Sequence, residues 1–313
     1  MHAGIMIEGQ DGLTWERWFA LADAAESMGY HSLCRSDHLT SVAGFPERPS
    51  LETWTSLTAL ATRTRRIRFG PVVSPITFYQ PTVLAKIAAA LDTLSGGRLD
   101  LGIGAGWNEN EHATFGIALP PMKERMDRFE CAARHIRALE AGEPRSLEQA
   151  YYPLRDAQLR PLPSAGRLRI VVGGRGEKRT LRIAAEVADE WNATRVDVDT
   201  FRHKQAVLAR HCEAIGRDPS TIARSLMVPI AIGRDASEVA ARVAAARAYF
   251  PGLPPDAAGW KAAGFLAGTP GELVDVLGRW GEAGLDRVLL QLLDQEDLTS
   301  VELFATRVMG EIA

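Results

Sequence analysis

"SGGRLDLGIGAGWNEN", residues Ser95–Asn110, sets five glycines beside an apolar run that carries Asp100, a tryptophan, two asparagines and the carboxylate of Glu109. A dinucleotide-binding fingerprint needs G-x-G-x-x-G between a strand and an opening helix. Here Gly102, Gly104 and Gly106 give G-x-G-x-G, and Trp107 stands where the third glycine belongs. No helix is predicted to open before about Pro121, so the fingerprint does not apply. Two readings remain. The glycines permit close strand packing or a bulge, or they bring backbone against a flat ring, with Trp107 and Asn108 as walls.

Outward from this stretch, short apolar runs alternate with helical patterns. Ala3–Ile7 reads as a strand. A helix follows from about Thr14, with Trp15, Trp18, Phe19, Ala22 and Ala25 recurring at threes and fours until Gly29 closes it. His31–Arg35 is a second strand, Leu51–Arg63 its helix, and Arg66–Val73 a third strand. Pro81 starts the next helix, and Ser95-Gly96-Gly97 stops it. Arg98–Ile103 is strand four, followed by a helix over Met122–Leu139. Leu168–Gly174, Glu190–Thr194, Ser225–Gly233 and Asp286–Leu293 supply strands five to eight. Their helices run from about Glu177, over Phe201–Ile215, from Asp235 and again from Thr269, and over Leu298–Met309.

The strands are near-continuous apolar runs, as when both faces are buried. An open doubly wound sheet and a closed (β/α)8 barrel both use such units. The count of eight favours the α/β TIM barrel, as one domain over residues 1–313. Insertions are expected after strands four and seven, at about Gly142–Arg167 and Phe250–Gly264.

The chain has 313 residues, 46% hydrophobic, with a net charge of −3. That near balance argues against a nucleic-acid partner or an anionic membrane surface. No run of about 18 apolar residues predicts a membrane span, and the N-terminus does not read as a signal peptide. Cys34, Cys131 and Cys212 are odd in number and widely spaced, which fits free thiols and a cytoplasmic protein.

In a barrel, chemistry belongs at the C-terminal strand ends. There the sequence places Glu8, Ser36-Asp37-His38, Ser74–Thr77, Gly104–Asn108, Gly173–Thr180, Asn192 and Thr194. "GGRGEKRT", Gly173–Thr180, pairs freed backbone N–H groups with a following helix start and the charges of Lys178 and Arg179. It is a candidate phosphate cradle, or else a plain turn with a solvated basic cluster. Asp37 and His38 are adjacent, so in an extended segment they point opposite ways. No spacing suits a metal site or a nucleophile elbow. Proline inside "GPVVSP", Gly70–Pro75, marks a bulge or an irregular strand end.

Three segments carry a family resemblance: "SDHL" (Ser36–Leu39), Val83–Glu111 and Val171–Asn192. With them the chain resembles the bacterial luciferase-like monooxygenase superfamily, and within it the actinobacterial oxidoreductases that use the deazaflavin coenzyme F420. The resemblance covers nearly the whole chain. It implies a TIM barrel, usually dimeric, with the coenzyme ring at the barrel mouth and a small-molecule substrate over it. Asp37 and His38 would be catalytic, near the reactive edge of the ring. Ser36, Pro71, Val72, Val73, Gly106, Trp107 and Asn108 would border the coenzyme, and Gly173, Gly174, Arg175 and Gly176 would hold its phosphate. A non-prolyl cis peptide is expected at Pro71–Val72, to within about one residue. Some sugar-phosphate dehydrogenases of the superfamily carry an acid where this chain has Trp107, which speaks against a sugar-phosphate substrate. The function implied is hydride transfer between F420 and a small organic molecule, with His38 as proton donor or acceptor. The alternatives are a two-component FMN-dependent monooxygenase and a flavin- or deazaflavin-binding protein without turnover.

Overall fold

The computed structural model describes residues 1–312. Eight parallel strands form the barrel: β1 (His2–Ile7), β2 (Ser32–Arg35), β3 (Arg68–Pro71), β4 (Asp100–Gly104), β5 (Arg169–Gly173), β6 (Glu190–Thr194), β7 (Ala223–Ile232) and β8 (Arg287–Leu292). Each pairs in parallel with its successor through β3 and again from β4 to β8, and β8 pairs with β1 in register from His2↔Arg287 to Ile7↔Leu292. The seam between β3 and β4 closes through a Phe69↔Leu99 bridge and, beyond a break at Val72 and Val73, through Ser74↔Ile103 and Pro75↔Gly104.

The glycine-rich stretch makes that seam possible. A Cβ on Gly70 would lie 1.8 Å from the Asp100 carbonyl oxygen, and one on Gly102 would lie 2.0 Å from that of Pro71. Both obstacles are backbone and cannot swing away. Gly102→Ala is therefore expected to destabilise the fold by about 3 kcal/mol, the upper end for overpacking. Thermal or urea unfolding reads this out, and a melting temperature equal to wild type would sink the packing account.

The helices cover the outside for local reasons. α1 (Trp15–Ser27) is capped by the Thr14 hydroxyl and ends near Gly29, whose φ of 78° suits glycine. α2 spans Thr53–Arg63, and α3 (Pro81–Ser95) begins on proline and ends in left-handed Gly96. α4 spans Met122–Leu139, α5 Thr180–Val187 and α6 Val198–Glu213. After β7 the insertion is larger than the expected Phe250–Gly264. It takes in a helix over Ala236–Tyr249, a short helix over Ala257–Ala262 and a strand, Leu266–Gly268, that pairs with the end of β7. The helix that returns to the barrel is Pro270–Glu282, where the Glu272 carboxylate accepts from the Thr269 N–H at 2.8 Å. The chain closes with Leu298–Arg307.

The first insertion folds as an antiparallel pair, Arg145–Leu147 with Leu154–Ala157. Its return limb packs low on the barrel, where Ser164 N–H donates to Asp92 at 2.8 Å. Among the described residues no helix is long and apolar enough to cross a membrane.

The lower barrel holds a layer the sequence did not announce. Ser32, Asp100, Glu190 and Arg287 open the four even-numbered strands, so their side chains meet across the barrel. Arg287 reaches Asp100 at 2.8 Å, Glu190 at 2.6 Å and Ser32 at 3.2 Å. Arg68 and Arg169 add ion pairs to Asp100 at 2.7 and 3.3 Å. Burial pushes the Asp100 pKa up, but the charges of Arg287, Arg68 and Arg169 outweigh it and hold the carboxyl below its ordinary range. Polar layers at this end serve stability, and the opposite end is left for chemistry.

Candidate active site

A cavity of about 1020 Å³ opens at the C-terminal end of the barrel. The strand-end groups singled out in the sequence line it through Glu8, Ser36-Asp37-His38, Pro75, the Gly104–Asn108 turn, the Gly173–Thr180 loop, and Asn192 with Thr194, and Val72 and Val73 join them.

His38 follows β2 and is held from behind by a carboxylate. Its Nδ1 lies 2.8 Å from Glu111 Oε2, and the other oxygen of Glu111 accepts from the Leu39 N–H. Glu111 is completely buried, with 0% exposure, so this pairing takes place out of water. Burial pulls the His38 pKa down. The hydrogen bond and charge of Glu111, helped by the charges of Glu8 and Asp37, overcome that and hold it above the ordinary imidazole value. The Trp107 ring meets the His38 imidazole edge-on, centroids 5.7 Å apart, and remains 65% exposed at the rim.

Glu111 was missed as a site residue because the turn after β4 is not the loop it resembles. A short helix, Glu109–Thr114, opens there, well before Pro121. Asn108 is its N-cap, its side-chain oxygen accepting from the Glu111 N–H at 3.2 Å. The signal was present as Asn108-x-x-Glu111, a helix-start pattern. Its glutamate, however, reaches His38 instead of folding back on the cap. His112 pins the turn from the next position, with Nδ1 2.7 Å from the Asn108 carbonyl oxygen and Nε2 2.8 Å from Thr77 Oγ1.

Asp37 points away from this pair, as adjacent residues in an extended segment should. Its carboxylate accepts from the Ser74 hydroxyl and, at 3.0 Å, from Tyr79 OH, and burial drives its pKa up. The structure does not bring Asp37 to His38 as a proton partner. It places Asp37 under the β3 bulge, where it braces the segment. Ser36 borders the cavity and also braces the strand end, its hydroxyl accepting from the Gly9 N–H at 3.1 Å.

The bulge supplies one wall. The cis peptide lies at Val72–Val73, one residue beyond Pro71–Val72. Val72 and Val73 line the cavity, whereas the Pro71 carbonyl is packed against Gly102 and Pro71 is absent from the lining. A Cβ on Gly104 or Gly173 would approach the Val73 side chain to 2.6 or 2.8 Å. Close packing therefore explains Gly102 and Gly104. Gly106, with φ of 79°, turns the chain at the rim, and its carbonyl accepts from Arg125 at 2.9 Å.

The Gly173–Thr180 loop supplies the far end. Gly174 has φ of 123°, and its carbonyl accepts from the Trp191 indole N–H at 2.7 Å. Arg175 and Lys178 are exposed, and Arg175 is steadied on the Arg195 carbonyl at 2.9 Å. Arg179 is already taken, by Asp127 at 2.7 Å and Glu130 at 3.0 Å. The basic character expected of Lys178 and Arg179 therefore rests on Lys178, Arg175 and Arg195.

The similarity to known proteins agrees with this architecture. An F420-dependent hydroxymycolic acid dehydrogenase of Mycobacterium tuberculosis is 33% identical over 245 residues, which are 77% of this chain and 65% of that protein. An F420-dependent glucose-6-phosphate dehydrogenase of Microbacterium testaceum is 36% identical over 172 residues, 54% of this chain and 50% of that protein. The matches thus span between half and two-thirds of these relatives' own lengths. The crystal structure of monooxygenase RslO1 from Streptomyces bottropensis superposes over 100% of both chains with a TM-score of 0.85 at 22% identity, which shows a shared barrel. Residues 2–288, from the first barrel strand into the last, match the luciferase-like monooxygenase family model. With a family match over most of its length, the chain belongs to the luciferase-like monooxygenase family.

Proposed function

We infer that this protein is an oxidoreductase that transfers a hydride between the deazaflavin coenzyme F420 and a small organic substrate. The observation that carries the reading is the buried Glu111 behind His38, which leaves one imidazole nitrogen facing a deep cavity at the barrel mouth. The two F420-dependent dehydrogenases similar in sequence support the choice of coenzyme.

The residues present fit a flat ring with a phosphate-bearing tail. Val72 and Val73 offer an apolar platform, and Gly174 and Gly176 form a cradle in which a Cβ would meet Thr180 at 3.1 and 2.9 Å. Gly173–Gly176 with Arg175 and Lys178 would hold the phosphate. When bound, the deazaflavin supplies a carbon centre that donates or accepts hydride. The chain's own part is positioning and proton handling. Because Glu111 engages Nδ1, the proton exchanged with substrate is held at Nε2: donated by the imidazolium, accepted by the neutral ring. Asp37 braces the platform through Ser74 and Tyr79, and Trp107 limits how far the imidazole can turn.

Fluorescence titration of the purified protein with F420 and FMN, each oxidised and reduced, tests the reading. F420 is expected to bind at least about tenfold more tightly than FMN, a difference of about 1.4 kcal/mol. Tight FMN binding without F420 affinity would replace the reading with a two-component flavin monooxygenase. Failure of both to bind would remove it.

A further inference from the structure

We propose that the substrate of this site is a neutral, predominantly apolar molecule, and not a sugar phosphate or other anion. The proposal rests on the oxidoreductase reading for the word substrate, but its argument comes from the distribution of charge around the barrel mouth.

The ring order of the strands divides the cavity into two arcs. All the basic residues that line it, Arg175, Lys178, Arg179 and Arg195, come from the loops after β5 and β6. The arc made by β7, β8, β1 and β2 contributes no lysine or arginine among the described lining residues. Its polar groups are Glu8, Ser36, Asp37, His38 and Gln291; Glu8 is engaged by Gln291 and by Gln10 at 2.8 Å, and Asp37 by Ser74 and Tyr79. An anion placed on this arc would face the carboxyl groups of Glu8 and Asp37 and only one cationic candidate, so its desolvation would go uncompensated.

What the arc does offer is a constructed apolar wall. Phe250, Leu253 and Phe265 come from the insertion after β7, Leu293 from the end of β8, and Val42 from the loop after β2. The wall is anchored. Phe265 packs edge-on against fully buried Trp260, with centroids 5.6 Å apart, and the Trp260 indole donates to the Pro254 carbonyl at 3.2 Å. Arg48 clips the two contributing segments together, donating to the carbonyls of Tyr249 at 2.9 Å and Ala248 at 3.0 Å while its guanidinium lies 3.8 Å from the centre of the Phe45 ring. Apolar side chains held this way reward apolar ligand surface, at roughly fourfold in affinity per buried methylene. The first insertion takes no part in the lining, so substrate choice lies with the 39–50 loop and the insertion after β7.

Calorimetric titration with 2-octanone and with glucose 6-phosphate tests the proposal, on the protein alone and on protein saturated with F420. With F420 filling the phosphate cradle, the ketone is expected to bind at least about tenfold more tightly than the sugar phosphate, and on the protein alone the ketone arm is read by itself. Leu253→Asp and Val42→Asp approach the wall from opposite sides. Each should weaken ketone binding about tenfold or more, with F420 affinity and melting temperature unchanged. Tighter binding of glucose 6-phosphate to the F420-saturated protein, no binding of the ketone to either form, or ketone affinity unchanged in both variants would overturn the proposal. Ketone binding in a protein that takes up no F420 would leave the apolar site standing and defeat the coenzyme reading alone.

Discussion

Glu111→Gln is expected to lower the turnover number about a hundredfold and to move the His38 limb of the pH–rate profile toward acid. General acid–base catalysis contributes about 10²- to 10⁴-fold, and His38→Ala should lose most of that range. Glutamine keeps the shape of Glu111 and can still accept from Nδ1–H, but it removes the charge that, with its hydrogen bond, raises the His38 pKa. The imidazolium then loses its proton at lower pH. A residue that only filled space would lower stability and leave the profile where it was. The double variant should be no worse than His38→Ala alone, because Glu111 acts through His38. An unshifted pH profile in Glu111→Gln would detach it from the proton chemistry. The pairing also has a stability consequence with a definite sign. A raised folded-state pKa contributes stability that is fully present below the unfolded imidazole value of about 6.5. That stability is lost as pH rises through the higher folded value.

Arg287→Met is expected to be the most damaging substitution for the fold, at about 3–5 kcal/mol. It deprives two buried carboxylates, Asp100 and Glu190, of the buried cation between them. Arg68 still reaches Asp100, and Arg169 reaches both acids, so the loss should fall short of what complete isolation of them would produce. The penalty should shrink on acidification. In wild type the Asp100 pKa is held low, so its contribution is present above the unfolded carboxylate value of about 3.9 and fades as pH falls through the folded value. Without Arg287 that pKa rises, and protonation relieves the strain at a milder pH. Urea unfolding of wild type and variant across the acid range measures both effects. Equal stability at neutral pH would show that the layer is not held by its charges.

The barrel itself was readable along the chain. The eight strands are near-continuous apolar runs between amphipathic helices, and Thr14, Pro81 and Gly96 mark helix ends by chemistry that acts within one turn. The strand-end residues at the mouth were readable for the same reason, since barrel topology sends those positions to one face. The legible signals are local or periodic, and local rules suffice for them.

The roles within the site were not readable in this way. Gly102 and Gly104 look alike in sequence whether they face a ring or a neighbouring strand, and only the distance to Pro71 and Val73 separates the two. Glu111 lies 73 residues from His38, and no periodicity links them. Arg179 looks like a phosphate ligand until α4 is packed beside it with Asp127 and Glu130. The layer of Ser32, Asp100, Glu190 and Arg287 is likewise spread over four strands. The sequence by itself thus determined the fold class, the helix caps and which residues gather at the barrel mouth, because propensity and alternation act over a few residues. Only the tertiary structure decided which carboxylate backs His38, which cations stay free and where the apolar wall stands. Those depend on contacts between side chains that the chain brings together only on folding.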